Sequence, residues 1–279
     1  MAAALRFARA TTVDGEQIRD CLNAAFSDYV IRMPALDSNA WQVFLQRQGV
    51  DLVLSRVAIE GDRVNSFALV CPRSDDRWRI AVMGARPEAR GSGAAPRLLD
   101  ETIEEARSRG VAFVELEVFA QNERAFRLYR SRGMESACEL KGFEAPAGSP
   151  ARLLDTSSVS PETARRHANE IERSSIAALP WQVCGDAISR LTGMVYCWQR
   201  GTAQLVFTEA PGLIVVQSLL DSDERYASAA DLLLALRATF PEAALRAPQL
   251  QVASLAAKAF EAAGWVGSPL YQHLMVRKA

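Results

Sequence analysis

The chain has 279 residues, 32 of them basic and 33 acidic, for a net charge of −1. That balance excludes a surface built to neutralise nucleic-acid phosphates or anionic lipid. With 49% apolar and 23% charged residues, a well-buried core is expected, and the length suits two domains of ordinary size.

Leu5–Ala8 reads as a first strand, and Asp14–Phe26 as an amphipathic helix with Ile18, Cys21, Leu22 and Phe26 at helical spacing. An irregular stretch through Met33-Pro34 precedes a short helical patch at Trp41–Arg47. Two strands, Leu52–Ile59 and Val64–Cys71, flank the turn Glu60-Gly61-Asp62-Arg63, and Trp78–Ala85 is the next strand. A helix then runs from near Ala95 to Gly110, with Leu98, Leu99, Ile103 and Ala106 on one face and Glu101, Glu104, Glu105 and Arg109 on the other. Val111–Phe119 alternates: Val114, Leu116 and Val118 share one side, Glu115 and Glu117 the opposite one. Asn122–Arg130 is a short helix stopped near Gly133. This order predicts an α/β protein with a mixed sheet.

Glu144–Pro150, rich in Pro, Gly and small residues, reads as a linker and suggests domains at 1–145 and 151–279. Beyond it the pattern partly repeats: a helix at Ser228–Thr239, a strand within Ala244–Leu250, and a helix at Ala253–Ala263 closed by Gly264. Laid over the first half, Gly264 falls on Gly133, Phe260 on Tyr129 and Ala253 on Asn122, so the two domains read as related.

The five cysteines are scattered without C-x-x-C spacing and read as reduced thiols. The N-terminus is too short and too interrupted by Arg for a secretory signal, and no apolar run approaches membrane-crossing length; the expectation is a cytoplasmic protein. Arginine far outnumbers lysine and alanine is abundant, the usage of a GC-rich bacterial genome.

The chemistry concentrates in Arg86–Pro96, between a strand and a helix. Glycines there let successive backbone N–H groups turn toward one point, and the following helix adds its unpaired N-terminal donors. The loop leaves a plain connection or a dinucleotide site as readings, beside the resemblance that follows. The dinucleotide fingerprint wants G-x-G-x-x-G after the first strand of a parallel unit, and a Walker loop wants a closing Gly-Lys-Ser/Thr; neither is met.

Arg90-Gly91-Ser92-Gly93-Ala94-Ala95 resembles the R/Q-x-x-G-x-G/A signature of the GNAT (GCN5-related) N-acetyltransferase superfamily. Downstream, Leu116-Glu117-Val118 and the run from Asn122 through Ala125, Leu128, Tyr129 and Gly133 to Met134 resemble that family's N-x-x-A-x-x-L-Y-x-x-x-G-F block. The resemblance is specific over residues 80–135 and extends more loosely over 5–143. It implies a GNAT-like N-terminal domain that moves an acetyl group from acetyl-CoA, its cosubstrate, to a primary amine by direct attack, with no metal. Main-chain contacts to pantetheine then fall to Met83, Gly84 and Ala85. The pyrophosphate falls to the loop of Arg90, Gly91, Ser92, Gly93, Ala94 and Ala95. Asn122 matches a position beside the pantetheine arm, Tyr129 the acid that protonates the departing thiolate, and Glu117 a glutamate that in some members deprotonates the amine.

Each residue also has a structural reading: Tyr129 as core packing, Asn122 as a helix N-cap, Glu117 as an ion-paired strand residue. His167 and His273 lie outside the matched region, and Asp28, Tyr29 and Trp41 fall where the family builds its substrate wall. The second domain has Ala253 for Asn, Phe260 for Tyr and no glycine before its helix, so it is expected to be a silent copy. The other class of function is a non-catalytic acyl-CoA-binding or regulatory module. The acceptor, a small molecule or a peptide, and any homo-oligomeric state are not specified by these motifs; no nucleic-acid or membrane partner is expected.

Overall fold

The computed structural model describes residues 4–175 and 178–279. It forms two compact units: residues 1–117, 122–135 and 275–279 make the first, and 118–121 with 136–274 the second. The first expected domain, 1–145, therefore does not coincide with a unit. Residues 136–145 are a strand of the second unit, and Met275–Ala279 belong to the first.

The first unit opens with β1 (Arg6–Arg9) and α1 (Gly15–Ala25). Asp14 caps α1 by accepting from Glu16 N at 3.0 Å, and Ile18, Cys21, Leu22 and Ala25 form its buried stripe. α2 (Ser38–Gln48) is capped by Asp37 and stopped by Gly49 at φ 64°. β2 (Asp51–Glu60), β3 (Arg63–Ser74) and β4 (Arg77–Ala85) pair antiparallel in sequence, with β1 on the outer side of β2. A crossover through α3 (Ala94–Ser108) brings β5 (Phe113–Phe119) parallel to β4. α4 (Glu123–Ser131) follows immediately.

The helices sit on opposite faces of this sheet. α1 and α2 cover Val57, Phe67, Leu69 and Val82, and α3 covers Ala58, Ala68 and Met83. Two arginines pin α3 to the outer strands: Arg9 of β1 and Arg56 of β2 converge on the buried Glu105 at 2.8 and 2.9 Å, where Arg109 at the end of α3 itself joins them at 2.9 Å. The open groove beside them, about 1010 Å³, is lined by four arginines and four acids; Glu101 and Glu105 pair with arginines of the groove, whereas Glu104 and Asp100 pair with Arg107 and Arg132 outside it.

The second unit contains β6 (Glu135–Ala145), β7 (Ser157–Ser158), α5 (Pro161–Ser174), the single turn α6 (Gly185–Ile188), β8 (Met194–Arg200), β9 (Ala203–Ala210) and β10 (Leu213–Asp221). α7 (Ala227–Thr239), β11 (Ala244–Val252), α8 (Ala257–Ala262) and β12 (Val266–Lys278) complete the elements. Its plan repeats that of the first: β8, β9 and β10 pair antiparallel, α7 crosses over, and β11 runs parallel to β10. β6 pairs antiparallel to β11, and β12 lies beside β6.

Two features set the second unit apart from the first. The loop before α7 ends on Tyr226 at φ 54°, the one positive-φ non-glycine among the described residues. The buried carboxylate of Asp221 holds the start of α7, accepting from Ala229 N at 3.1 Å, Thr202 Oγ1 at 2.6 Å and Asp223 N at 3.0 Å. Between β10 and β11, the turn Trp181–Val183 packs in, and Ser218 Oγ donates to Val183 O at 2.7 Å. Phe260 stacks on Phe143 at 4.6 Å in the core. Replacing Asp221 by Ala should cost about 2 kcal/mol, as a helix cap and two further bonds are lost together. Thermal unfolding would show it as a lower midpoint.

Among the described residues no helix is long and apolar enough to cross a membrane.

Candidate active site

β4 and β5 pair only over Arg77–Arg79 and Phe113–Glu115. Beyond that point the two parallel strands part. The cause lies on the other side of β4. Val70 faces Ile80 and Leu69 faces Val82, so Ala81 is an extra residue in β4. A bulge of this kind bends and twists its strand, here away from β5. It leaves the main chain of Met83, Gly84 and Ala85 paired with β3 but open on the β5 side.

Gly84 is set by close approach. A Cβ there would lie 2.9 Å from the Phe67 ring and 3.1 Å from Ala25 Cβ, so only glycine lets β4 pass under α1. Met83 packs toward α3.

The loop after β4 runs through a 3-10 turn, Pro87–Ala89, into α3. Gly91 and Gly93 have φ of 87° and 84°. A Cβ at either would meet no atom within 4 Å, so the left-handed backbone, not crowding, calls for glycine. Ser92 N donates to Ala89 O, and Ala94 N to Ser92 Oγ, each at 3.3 Å. The amides of Gly91, Gly93 and Ala95 have no partner among the described residues. Three unpartnered donors at the positive end of a fifteen-residue helix form an anion seat. Pro96 stands in the first turn, where its missing N–H costs nothing.

Arg90 does not stand over that seat. Its two terminal nitrogens bond Asp28 Oδ1 and Oδ2 at 2.6 Å each, and one reaches Ala25 O at 3.1 Å. The guanidinium ties the loop to the end of α1, and it holds the Asp28 carboxyl below the usual range.

Asn122 caps α4, its Oδ1 accepting from Ala125 N at 3.3 Å. Its side chain also hydrogen-bonds the Tyr29 hydroxyl. Tyr29 in turn sits edge-on to Phe26 at 4.7 Å and close to Tyr129. Asn122, Tyr29 and Tyr129 thus form one cluster, built from the loop after α1 and from α4. Burial pushes the Tyr129 phenol well up, and neighbouring Tyr29 adds to the shift. Its hydroxyl has no hydrogen-bond partner among the described residues. Tyr129 therefore keeps its proton through neutral pH.

Glu117 is engaged. Arg79 Nη2 donates to Oε2 at 2.8 Å, and Nε reaches both oxygens at 3.0 and 3.1 Å. The two side chains are 2% and 5% exposed, and Gln48 Oε1 at the end of α2 accepts from Arg79 Nη1 at 3.1 Å. The bulge at Ala81 puts Arg79 on the same face as Val82 and Gly84, beneath α1 and α2. Neither Arg79 nor Gln48 was singled out from the sequence. The available signal was an arginine inside an otherwise apolar strand, two residues before the bulge.

Residues 16–134 match the acetyltransferase (GNAT) family. They form a GNAT domain. No curated protein matches the sequence. Among solved structures, a GCN5-related N-acetyltransferase from Sphaerobacter thermophilus superposes with a TM-score of 0.67 at 13% identity, over 99% of this chain and 95% of its own. One from Kribbella flavida gives 0.63 at 17% identity, over 99% and 71%. A tandem GNAT protein from the clavulanic acid biosynthesis pathway gives 0.61 at 14% identity, over 99% and 98%. At these identities the likeness establishes the fold: a GNAT domain followed by a second, degenerate GNAT-like unit.

Proposed function

We propose that the GNAT domain transfers an acetyl group from acetyl-CoA to a primary amine by direct attack. The observation that carries this reading is the parted β4–β5 pair leading into three unpartnered amides at the start of α3. The residues fit acetyl-CoA. The free edge of Met83–Ala85 suits an extended amide chain, which would add to it like a strand. The amides of Gly91, Gly93 and Ala95 suit a pyrophosphate. Ser92 and Ala94 shape that loop, and Arg90 braces it from behind.

Bound acetyl-CoA supplies an acetyl thioester. An open backbone N–H on Met83–Ala85 would meet the negative charge that develops on the carbonyl oxygen. Tyr129 holds a proton for the leaving sulfur, and Asn122 and Tyr29 fix the start of its helix. Glu117 is assigned to holding β5 against β4 through Arg79, since its two oxygens are already engaged.

Isothermal titration with acetyl-CoA tests the reading. The intact protein is expected to bind saturably. The double substitution Gly91→Glu/Gly93→Glu should weaken binding at least about a hundredfold, roughly 3 kcal/mol, by straining two left-handed residues and placing carboxylates at an anion seat. An intact protein that does not bind acetyl-CoA would overturn it.

A further inference from the structure

The open groove of about 1010 Å³ lies between α3 and the outer strands of the first unit. Phe7 and Arg9 of β1 and Arg56 of β2 form one wall, and α3 with the Arg109 that closes it forms the other. Among the described residues β1 pairs with β2 alone, so the groove runs along the margin of the sheet. No residue of the parted strands or of the glycine loop lines it. Apart from Phe7 and Ser108, every lining side chain is charged. Small-molecule pockets enclose their ligand between mainly apolar walls; this groove is open and polar.

Its charges are unevenly paired. Asp100 and Glu104 are held by Arg132 and Arg107, which stand outside the groove. That leaves Glu101 and Glu105 to face Arg9, Arg56, Arg97 and Arg109, an excess of two positive charges.

Hydrogen-bond donors are in excess as well. Glu105 Oε1 accepts from Arg9 Nη2, Arg109 Nε and Arg109 Nη2, and Oε2 from Arg9 Nη1 and Arg56 Nη2, all at 2.8 to 3.1 Å. A carboxylate offers only about four lone-pair sites, so Glu105 can satisfy nothing more. Arg97 gives its Nε to Glu101 at 3.0 Å, and its two terminal nitrogens have no partner among the described residues. The same holds for Arg109 Nη1. The Arg97 guanidinium carbon also lies 4.0 Å from the centre of the Phe7 ring. Held by that ring and by Glu101, the Arg97 head has little rotamer freedom left to lose on binding.

We infer that this groove docks an extended acidic segment of a partner protein, whose carboxylates take the free ends of Arg97 and Arg109. These two arginines are about 18 Å apart along the helix, a span that about five or six extended residues cover. A peptide can place its acids opposite the guanidiniums and neutral residues opposite Asp100 and Glu104. The evenly spaced phosphates of a nucleic acid would have to pass those two carboxylates.

Fluorescence anisotropy of a labelled hexaglutamate amide on the full chain tests the inference, with hexaglutamine amide as the uncharged control. Hexaglutamate alone should bind saturably, and more weakly as salt is raised. Arg97→Gln/Arg109→Gln should weaken binding at least about tenfold. Both side chains are well exposed, at 60% and 49%, and a thermal melt checks that the variant is folded. Glu101→Gln removes one of the groove's own acids and should tighten binding about threefold, a direction that damage to the fold would not produce.

No binding of hexaglutamate, equal binding of hexaglutamine, or indifference to Arg97→Gln/Arg109→Gln would overturn the inference. So would displacement of the peptide by equimolar acetyl-CoA, inorganic phosphate or a thymidine oligonucleotide, since each gives the groove to another ligand. Sedimentation velocity covers the remaining occupant. A dimer that the double substitution splits would give the groove to a second copy of the chain and overturn the inference too.

Discussion

Tyr129→Phe is expected to lower kcat about 10²–10⁴-fold while leaving acetyl-CoA affinity within about a factor of two, since general-acid catalysis contributes on that scale. The substitution removes one oxygen that has no hydrogen-bond partner among the described residues, so packing against the core is preserved. Calorimetry and steady-state kinetics on the same sample separate the two effects. A variant that turns over at the parent rate would remove Tyr129 from the chemistry and leave it a packing residue. A protein that binds acetyl-CoA but never turns over, with or without the phenol, would be a non-catalytic binding module.

The second large effect concerns stability. Glu117→Gln leaves Arg79 buried without its counter-charge and should cost about 3–5 kcal/mol. For a unit of this size that is a fall of roughly 10 °C in the unfolding midpoint. The double substitution Arg79→Met/Glu117→Leu should recover most of the loss, because a buried ion pair replaced by apolar groups of similar volume is near neutral. Differential scanning calorimetry of the three proteins checks the cycle. Had Glu117 been an unpaired base, the single substitution would leave the midpoint nearly unchanged and only the rate would fall.

The two effects also show what a sequence can and cannot disclose here. α3 and its loop were legible because glycines, a proline and a 3.6-residue stripe all mark the same boundary. The identity of Glu117's partner was not. Arg79 lies 38 residues away, and simple alternation through Trp78–Ala85 miscounts faces once Ala81 bulges. The expected helix at Ala253–Ala263 shortens to Ala257–Ala262, because Ala253 N is drawn to Glu139 O beside the β6–β11 ladder. β6 was hidden by a linker reading that took in its end. Gly142 in it lies under the end of the Gln249 side chain, 2.9 Å from where a Cβ would stand. β12 opens on Gly267 and Pro269 and lacks clean alternation, so it gave no signal at all.

The membership of Met275–Ala279 in the first unit has a consequence for how the protein is made. Ala279 N donates to Ala112 O, and Arg277 bonds the carbonyl of Arg132, a residue 145 positions earlier. Ribosomes add about 5–20 residues per second, so on the order of ten seconds separate synthesis of that carbonyl from arrival of its donor. During that interval the nascent GNAT domain has its glycine loop and its tyrosine but lacks its final segment. Unpaired backbone in such a state is a template for the wrong partner. The GNAT domain therefore receives its last segment only after residues 136–274 have been made.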